Sequence, residues 1–443
     1  MTQTLTQSIQ VQVTPGGALS GTCRVPGDKS ISHRALILGA LADGESVVRG
    51  LLDAGDTRAT RRVMQALGVT IEPDDSGALV IQGRGLAGLH PPKAPLDCGH
   101  AGTAIRLLAG VLTGQSFASV LDGSAQLRRR PMRRVVDPLR QMGAQIADTD
   151  GRAPLRITGA LLRGIAYRMP VASAQVKSAL LLAGLRASGP TAVIEPGPAR
   201  DHTERMLRAM GADVEIADAC CVTLIPPERL RPLDLRVPGD FSSAAFVLVA
   251  ALLAGSGEVT IEGVGVNPTR TGLLDILASM GADIRLTNER DVAGEPVADL
   301  VACRAALRGT LIEGDRVVRT IDEFPALMIA ALQAEGVTEV RGAAELRVKE
   351  TDRIAVMAAE LRKLGAAIDE RPDGFVIAGP QRLTGAVVDG HDDHRVAMAL
   401  ALAGLLADGP TTITDARCIE DSFPGFVETL HALGARIEEV AGE

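Results

Sequence analysis

Apolar and polar positions along the chain follow two regimes. Runs such as AAFVLVAALLAG (244–255) and VAMALALAGLLA (396–407) are apolar on every face and predict buried helices. Between them lie short alternating stretches, GEVTIEG, ADVEI and ADIRL, whose period of two predicts strands. A third kind, TRTGLLDILASM, spaces its apolar residues at helical intervals. The order of these elements repeats. An apolar helix, a turn, a short strand, a loop and a second helix lead each time to a closing phrase: ALGV, QMGA, AMGA, SMGA, KLGA or ALGA. The phrases place glycines at 68, 143, 211, 281, 365 and 434. Glycine is favoured just past a helix because the backbone there turns left-handed. The pattern predicts six mixed α/β units, too long for a solenoid, which group naturally as three plus three.

The phrase RVPGD stands at 24–28 and again at 236–240, introducing the first and fourth units. It predicts two domains of three units each. Residues 25–237 form the first, residues 1–24 join 238–443 in the second, and a two-strand hinge lies near 24–27 and 236–239. Pro26-Gly27 and Pro238-Gly239 suit turns at these crossings. A cleft between two similar domains is a common place for a substrate.

Composition narrows the classes. The 443 residues include no Trp and one Tyr, so the core is built from aliphatic side chains. The longest apolar runs are too short to span a bilayer, and MTQTLTQSIQVQV lacks the basic start and apolar stretch of a signal peptide. Six scattered cysteines without a C-x-x-C pair suggest reduced thiols and a cytoplasmic protein. A net charge of −8 and few aromatics argue against nucleic acid as a partner. They leave room for a small anion, which a local cationic cleft can focus whatever the net charge.

The six apolar helices begin GDKSISHRAL, GHAGTAIRLL, ASAQVKSALL, GDFSSAAFVL, IDEFPALMIA and HDDHRVAMAL. Helix N-termini carry free N–H groups and partial positive charge. Asp, Ser and Gly there can simply cap the helix, each contributing about 1 kcal/mol, and GDFSSAAF needs no other reading. Capping does not explain Lys29, Arg34, Arg106, Lys177 and Arg395, cations that oppose the dipole in or near the first turns. Their placement predicts an anionic ligand in preference to the alternative, a solvated basic face. The chain has five lysines among 46 Lys+Arg, so Lys29 and Lys349 mark places where a compact ammonium is wanted rather than a guanidinium fork. RVKETDR (347–353) sets Glu350 beside Lys349, a carboxylate able to exchange protons while cations hold a substrate.

GDKSISHRAL, GHAGTAIRLL, LRRRPM, ASAQVKSALLLAG, RDHTERML, ELRVKETDRI and DDHRVAMALALAG, in this order, resemble 5-enolpyruvylshikimate-3-phosphate synthases from about residue 10 to the C-terminus. The resemblance implies an α/β (α+β) fold of two similar domains, each of three βαβαββ units, arranged as an inside-out α/β barrel pair. It implies transfer of the enolpyruvyl group of phosphoenolpyruvate to the 5-hydroxyl of shikimate 3-phosphate, through a tetrahedral adduct, without metal or cofactor. Carried over by motif, Lys29, Ser30 and Arg34 form a first binding group, with Lys29 touching both substrates. Ser173, Ala174, Gln175 and Arg200, with Asp322 and Lys349, hold shikimate 3-phosphate. Arg130, Arg353 and Arg395 clamp phosphoenolpyruvate beside Gly102 and Gln175. Asp322 serves as base for the 5-hydroxyl, and Glu350, helped by Lys349, as proton donor to the methylene carbon. The family is usually monomeric.

Some positions depart from the family pattern. His100 stands where Asn is frequent and Leu107 where Pro is, and Asp421 takes the place of a Lys before FP. ASAQVKS, RDHTE and IDEFP lean toward the divergent, class II-like bacterial branch known for glyphosate tolerance. Its tolerant members carry Ala where this chain has Gly102, so glyphosate is expected to inhibit. The related UDP-N-acetylglucosamine enolpyruvyl transferases usually carry Lys-Asn where this chain has Lys29-Ser30, and a Cys that is absent from GSAQLRRRP. A non-catalytic anion-binding protein on the same scaffold would lack Asp322, Lys349 or Glu350, and all three are present. HDDH (391–394) raises the thought of a metal, but no further ligand cluster accompanies it, and His391 reads as a loop or cap residue.

Overall fold

The computed structural model describes residues 9–218 and 220–442; residues 1–8 of the span 1–24 assigned above lie outside the described residues. By its contacts the chain divides into two units. One comprises the N-terminal segment to Pro26, Gly239–Arg290 and Val297–Glu443; the other comprises Gly27–Pro238 and Asp291–Pro296. The chain therefore passes from unit to unit inside both Pro-Gly pairs, Pro26-Gly27 and Pro238-Gly239.

The described residues form six four-stranded sheets built to one plan. A short first strand runs parallel to the next strand, which pairs antiparallel with one member of an antiparallel pair, a hairpin in five of the six sheets. In the Gly27–Pro238 unit, Asp234–Arg236 lies parallel to Glu45–Arg49, which pairs antiparallel with Leu79–Gln82, itself paired with Thr70–Pro73. The last strand of the unit thus completes the sheet of its first repeat. In the other unit, Leu19–Arg24 pairs parallel with Gly255–Gly265, and Ile9–Thr14 lies between Thr411–Thr414 and Arg436–Ala441.

One stretch differs from the boundaries expected from sequence. Asp291–Pro296, the tip of the hairpin formed by Ile284–Val292 and Glu295–Ala302, goes with Gly27–Pro238 rather than with the rest of 238–443. His202 Nδ1 lies 2.7 Å from Glu295 Oε1, and Arg205 donates to the Gly294 carbonyl at 2.6 Å. A polar hairpin tip has no periodicity to reveal what it touches, so sequence could not place it.

Six long helices fill the interiors: Lys29–Leu41, Gly102–Thr113 and Ala174–Gly184 in one unit; Phe241–Ala254, Phe324–Gln333 and His394–Leu406 in the other. Every residue from Phe241 to Leu252 is buried, as is every residue from His394 to Leu405. Surrounded by sheets and by each other, these helices have no wet face, which is why their sequences are apolar all round. Each unit has its own core of Ala, Val, Leu and Ile, with Phe added in the unit holding Gly239–Arg290 and Val297–Glu443. The second helix of each repeat ends as the closing phrases predict: Gly68, Gly143, Gly211, Gly281, Gly365 and Gly434 all have φ between +86° and +108°.

Candidate functional site

The Gly27–Pro238 unit brings three helix starts into contact. Asp28 caps Lys29–Leu41 by accepting the Ile31 N–H at 2.8 Å, and Ser173 caps Ala174–Gly184 by accepting from Val176. With the caps in place, the cations can point elsewhere. Lys29 Nζ lies 2.7 Å from Asp56 Oδ2, with both side chains keeping a little access to water. Arg34 is buried. Its Nε donates to Thr203 Oγ1 at 2.7 Å, Nη2 to Ser178 Oγ at 2.7 Å and Nη1 to the Ser30 carbonyl at 2.9 Å. Burial pulls its pKa down to about 10, against Glu204 and Asp28, and leaves it a cation at neutral pH.

The second and third starts are tied by Gln175, whose Oε1 accepts from Arg106 at 2.7 Å and whose amide donates to Thr103 Oγ1 at 2.9 Å. Gly102 opens the second helix against the guanidinium of Arg130, which follows the short helix Ala125–Arg129. A Cβ built on Gly102 would lie 2.5 Å from Arg130 Nη1 and 3.0 Å from Arg106 Nη1. Glycine is needed here for closeness of approach. His100 Nδ1 lies 2.9 Å from Gln126 Oε1.

Lys177 corrects a sequence expectation. It is buried, with Nζ 2.5 Å from Glu195 Oε1, 2.8 Å from Glu204 Oε1 and 3.1 Å from the Ala199 carbonyl. Its anions are the protein's own carboxylates, so it is neither a ligand-seeking cation nor a solvated one. Burial opposes its charge, but Glu204 and Glu195 outweigh that and hold its pKa above the ordinary value. Burial pushes Glu195 up to about 7, with Lys177 pulling the other way.

The unit holding Gly239–Arg290 and Val297–Glu443 carries the other candidates. Asp322 precedes the helix Phe324–Gln333, and three cations surround it. Lys349 Nζ lies 3.2 Å from Asp322 Oδ1, Arg353 Nη1 lies 3.5 Å from it, and Arg395 donates to the Asp322 carbonyl at 2.9 Å. Arg353 is wholly buried at the start of the helix Arg353–Lys363. It pairs with Asp393 at 2.9 Å and Glu350 at 2.7 Å. Burial disfavours its charge, yet Asp393 and Glu350 outweigh burial and raise its pKa.

Sequence reading missed Asp393. It caps His394–Leu406, accepting from the Arg395 N–H at 3.1 Å, and also holds Arg353 and Thr351. Its signal lay in HDDH, as the acid directly before a helix, and was diverted by the two histidines. His391 instead faces Glu360 at 2.9 Å. Among the described residues no group of three His, Cys, Asp or Glu is placed to hold a metal ion. Asp421 ends the 3-10 turn Ala416–Asp421, partly exposed.

Each unit therefore gathers a polar cluster at the starts of apolar helices: hydroxyls, an amide and cations in one, three carboxylates among three cations in the other. Comparison with known proteins identifies the family. A family model described as EPSP synthase (3-phosphoshikimate 1-carboxyvinyltransferase) matches residues 13–430. A curated 3-phosphoshikimate 1-carboxyvinyltransferase of Halorhodospira halophila is 55% identical over 429 residues, 96% of each chain. One from Gloeobacter violaceus is 55% identical over 94% of this chain and 97% of its own. The solved EPSP synthase of Acinetobacter baumannii matches with a TM-score of 0.87 at 45% identity, over 98% of this chain and all of that one. The enolpyruvyl transferase NikO of Streptomyces tendae, at 21% identity and a TM-score of 0.81, shares the fold. Six repeats, two polar clusters at helix starts and matches spanning nearly the whole sequence have one reading in common: this chain belongs to the EPSP synthase family.

Proposed function

We propose that the chain transfers the enolpyruvyl group of phosphoenolpyruvate to the 5-hydroxyl of shikimate 3-phosphate by addition and elimination, releasing phosphate. In this reading Lys29, Ser30 and Arg34, with Ser173, Ala174, Gln175 and Arg200, bind shikimate 3-phosphate, and Lys29 also reaches phosphoenolpyruvate. Three of the five Arg34 N–H donors serve the protein, which leaves two for a ligand. Arg130, Arg353 and Arg395 bind phosphoenolpyruvate, with Gly102 and Gln175 beside them. Charge-assisted bonds of this kind contribute about 1.5–3 kcal/mol each.

The observation that carries the chemistry is the contact of Lys349 Nζ with Asp322 Oδ1 at 3.2 Å, beside Arg353 and Arg395. A carboxylate hydrogen-bonded to an ammonium can take the 5-hydroxyl proton and pass it on. Asp322 is the base. Glu350, with Lys349, delivers a proton to the methylene carbon as the 5-oxygen adds to the adjacent carbon. Collapse of the adduct expels phosphate and returns a proton from the methyl group to the same carboxylate. Asp322 and Lys349 also line the shikimate 3-phosphate position. Holding two anions together supplies most of the rate.

Glyphosate is proposed to inhibit, because this chain has Gly102 where tolerant members of the class II-like branch carry Ala; an inhibition constant in the millimolar range would contradict this. The protein is proposed to act in the cytoplasm as a monomer. All six cysteines are free thiols, and no described helix is long and apolar enough to cross a membrane. The deciding assay is phosphate release from phosphoenolpyruvate with shikimate 3-phosphate and, separately, with UDP-N-acetylglucosamine. Release with the first acceptor is expected. Release with only the sugar nucleotide would overturn the reading.

A further inference from the structure

We propose that Lys177 is a positioning residue, which clamps the segment 195–204 to the helix start at Ser173 and so sets Arg200 for shikimate 3-phosphate. The inference rests on the reading above, in which Ser173, Gln175 and Arg200 meet that substrate. Lys177 lies one helical turn beyond Ser173, inside the helix Ala174–Gly184. Its three partners all belong to one stretch of chain: Glu195 just after the strand Thr191–Ile194, the Ala199 carbonyl in the loop, and Glu204 in the first turn of His202–Ala209. Through the Ala199 carbonyl, Lys177 holds the peptide that joins Ala199 to Arg200. These bonds anchor the loop EPGPAR immediately before its arginine.

The cluster extends to the first helix start. Thr203, beside Glu204, accepts from Arg34 Nε at 2.7 Å, and Arg34 also donates to Ser178, the residue after Lys177. Lys177 thereby faces two buried carboxylates, Glu195 and Glu204, and Arg34 joins the cluster through the hydroxyls of Thr203 and Ser178. A buried ion cluster contributes little net stability compared with apolar packing, because desolvation offsets most of the attraction. What it does supply is fixed geometry, and the geometry fixed here is that of the peptide preceding Arg200.

The test uses Lys177→Met combined with Glu195→Gln, which removes one charge of each sign and leaves Arg34 and Glu204 in place. Thermal unfolding establishes that the variant is folded. Its KM for shikimate 3-phosphate is expected to rise about tenfold, the scale of losing one charge-assisted hydrogen bond, while KM for phosphoenolpyruvate and kcat stay within about twofold. Lys177→Arg keeps the charge on a longer, forked side chain. It should raise the same KM at least about threefold, and it carries the readout if the double variant does not fold. Arg200→Gln separates the two levels of inference. If Arg200→Gln raises KM for shikimate 3-phosphate but the Lys177 variants do not, the clamp is wrong and the assignment of Arg200 stands. If Arg200→Gln changes nothing, both fail. In the Arg200→Gln background the Lys177 changes should add no further increase, since they act through Arg200. Full additivity would mean that Lys177 is a structural ion-pair residue and nothing more.

Discussion

The two copies of RVPGD begin alike and diverge within a turn. Asp28 and Asp240 occupy the same place. Each caps its helix, the first by accepting from Ile31 and the second from Ser242. Their backbones also match: the Asp28 N–H donates to the Pro238 carbonyl and the Asp240 N–H to the Pro26 carbonyl, both at 2.8 Å. After that, Lys29 corresponds to Phe241, His33 to Ala245 and Arg34 to Phe246. The first copy places cations and a hydroxyl at its helix start. The second buries two rings and turns its polar groups inward. Asp240 accepts from buried Arg270 at 2.9 Å, Arg270 donates to Ser242 Oγ, and Ser242 in turn donates to Glu323. One backbone device thus supports two uses of charge. In the first copy it is offered to a ligand, by the reading above; in the second it is consumed by the fold.

The comparison breaks or stands on a pair of variants. Lys29→Met removes a proposed contact to both substrates, so kcat/KM should fall about 10²–10⁴-fold, the scale of losing two charge-assisted bonds. Stability should change less, because Asp56 keeps some access to water and can be solvated when its partner goes. Arg270→Met should do the reverse. It leaves Asp240 buried without its guanidinium, which costs about 3–5 kcal/mol, while turnover per folded molecule changes little. Urea unfolding alongside steady-state kinetics checks both. If Arg270→Met lost as much turnover as Lys29→Met, the second copy would belong to the chemistry and not to the fold alone. Equal stability losses would erase the contrast from the other side.

How far this contrast was legible in the sequence depends on range. The repeat, the six left-handed glycines and the apolar helices are local patterns, and local patterns are written in consecutive residues. Phe241 against Lys29 was readable for the same reason. The partners were not. Asp56 lies 27 residues from Lys29 and Glu195 lies 18 from Lys177, each brought close only by the packing of a repeat. A cation at a helix start looks the same in sequence whether it faces solvent, a substrate or a buried carboxylate, which is why Lys177 was misread as awaiting a ligand. Asp393 shows the converse. Its capping role was local and visible, but its hold on Arg353, 40 residues away, was not.

Gly102 extends the contrast to a helix start with no side-chain cap, where Arg130 takes up the space a Cβ would need. Gly102→Ala should push the guanidinium of Arg130 aside by a few tenths of an ångström or more, a shift a flexible side chain can absorb. KM for phosphoenolpyruvate is expected to rise about tenfold, as expected when one charge-assisted bond is weakened. The inhibition constant for glyphosate should rise by more, as the Ala carried there by tolerant members of the class II-like branch implies. Parallel measurement of the two constants is the check. An unchanged KM would mean that Arg130 does not bind phosphoenolpyruvate from this position.

The smallest expected effect separates the two copies by pH. His33 is fully buried in the first copy, with Nδ1 2.7 Å from Thr60 Oγ1, whereas Ala245 fills the matching place in the second. Burial lowers the His33 pKa to about 3, Asp56 raising it and Lys29 and Arg34 lowering it further. The folded protein therefore holds this ring neutral, while the unfolded chain protonates it near its ordinary value of about 6.5. The folded pKa lies below the unfolded one, so the contribution to stability is complete above about pH 6.5 and is lost as pH falls from there toward 3. In that window one proton contributes a slope of about 1.4 kcal/mol per pH unit. Urea unfolding at pH 7.5, 6.0 and 5.0 should show this loss in the parent, and His33→Gln should show a shallower decline across the same range. Parallel curves for the two proteins would mean that His33 is protonated in the folded state, and that the interior of the first copy is wetter than its packing implies.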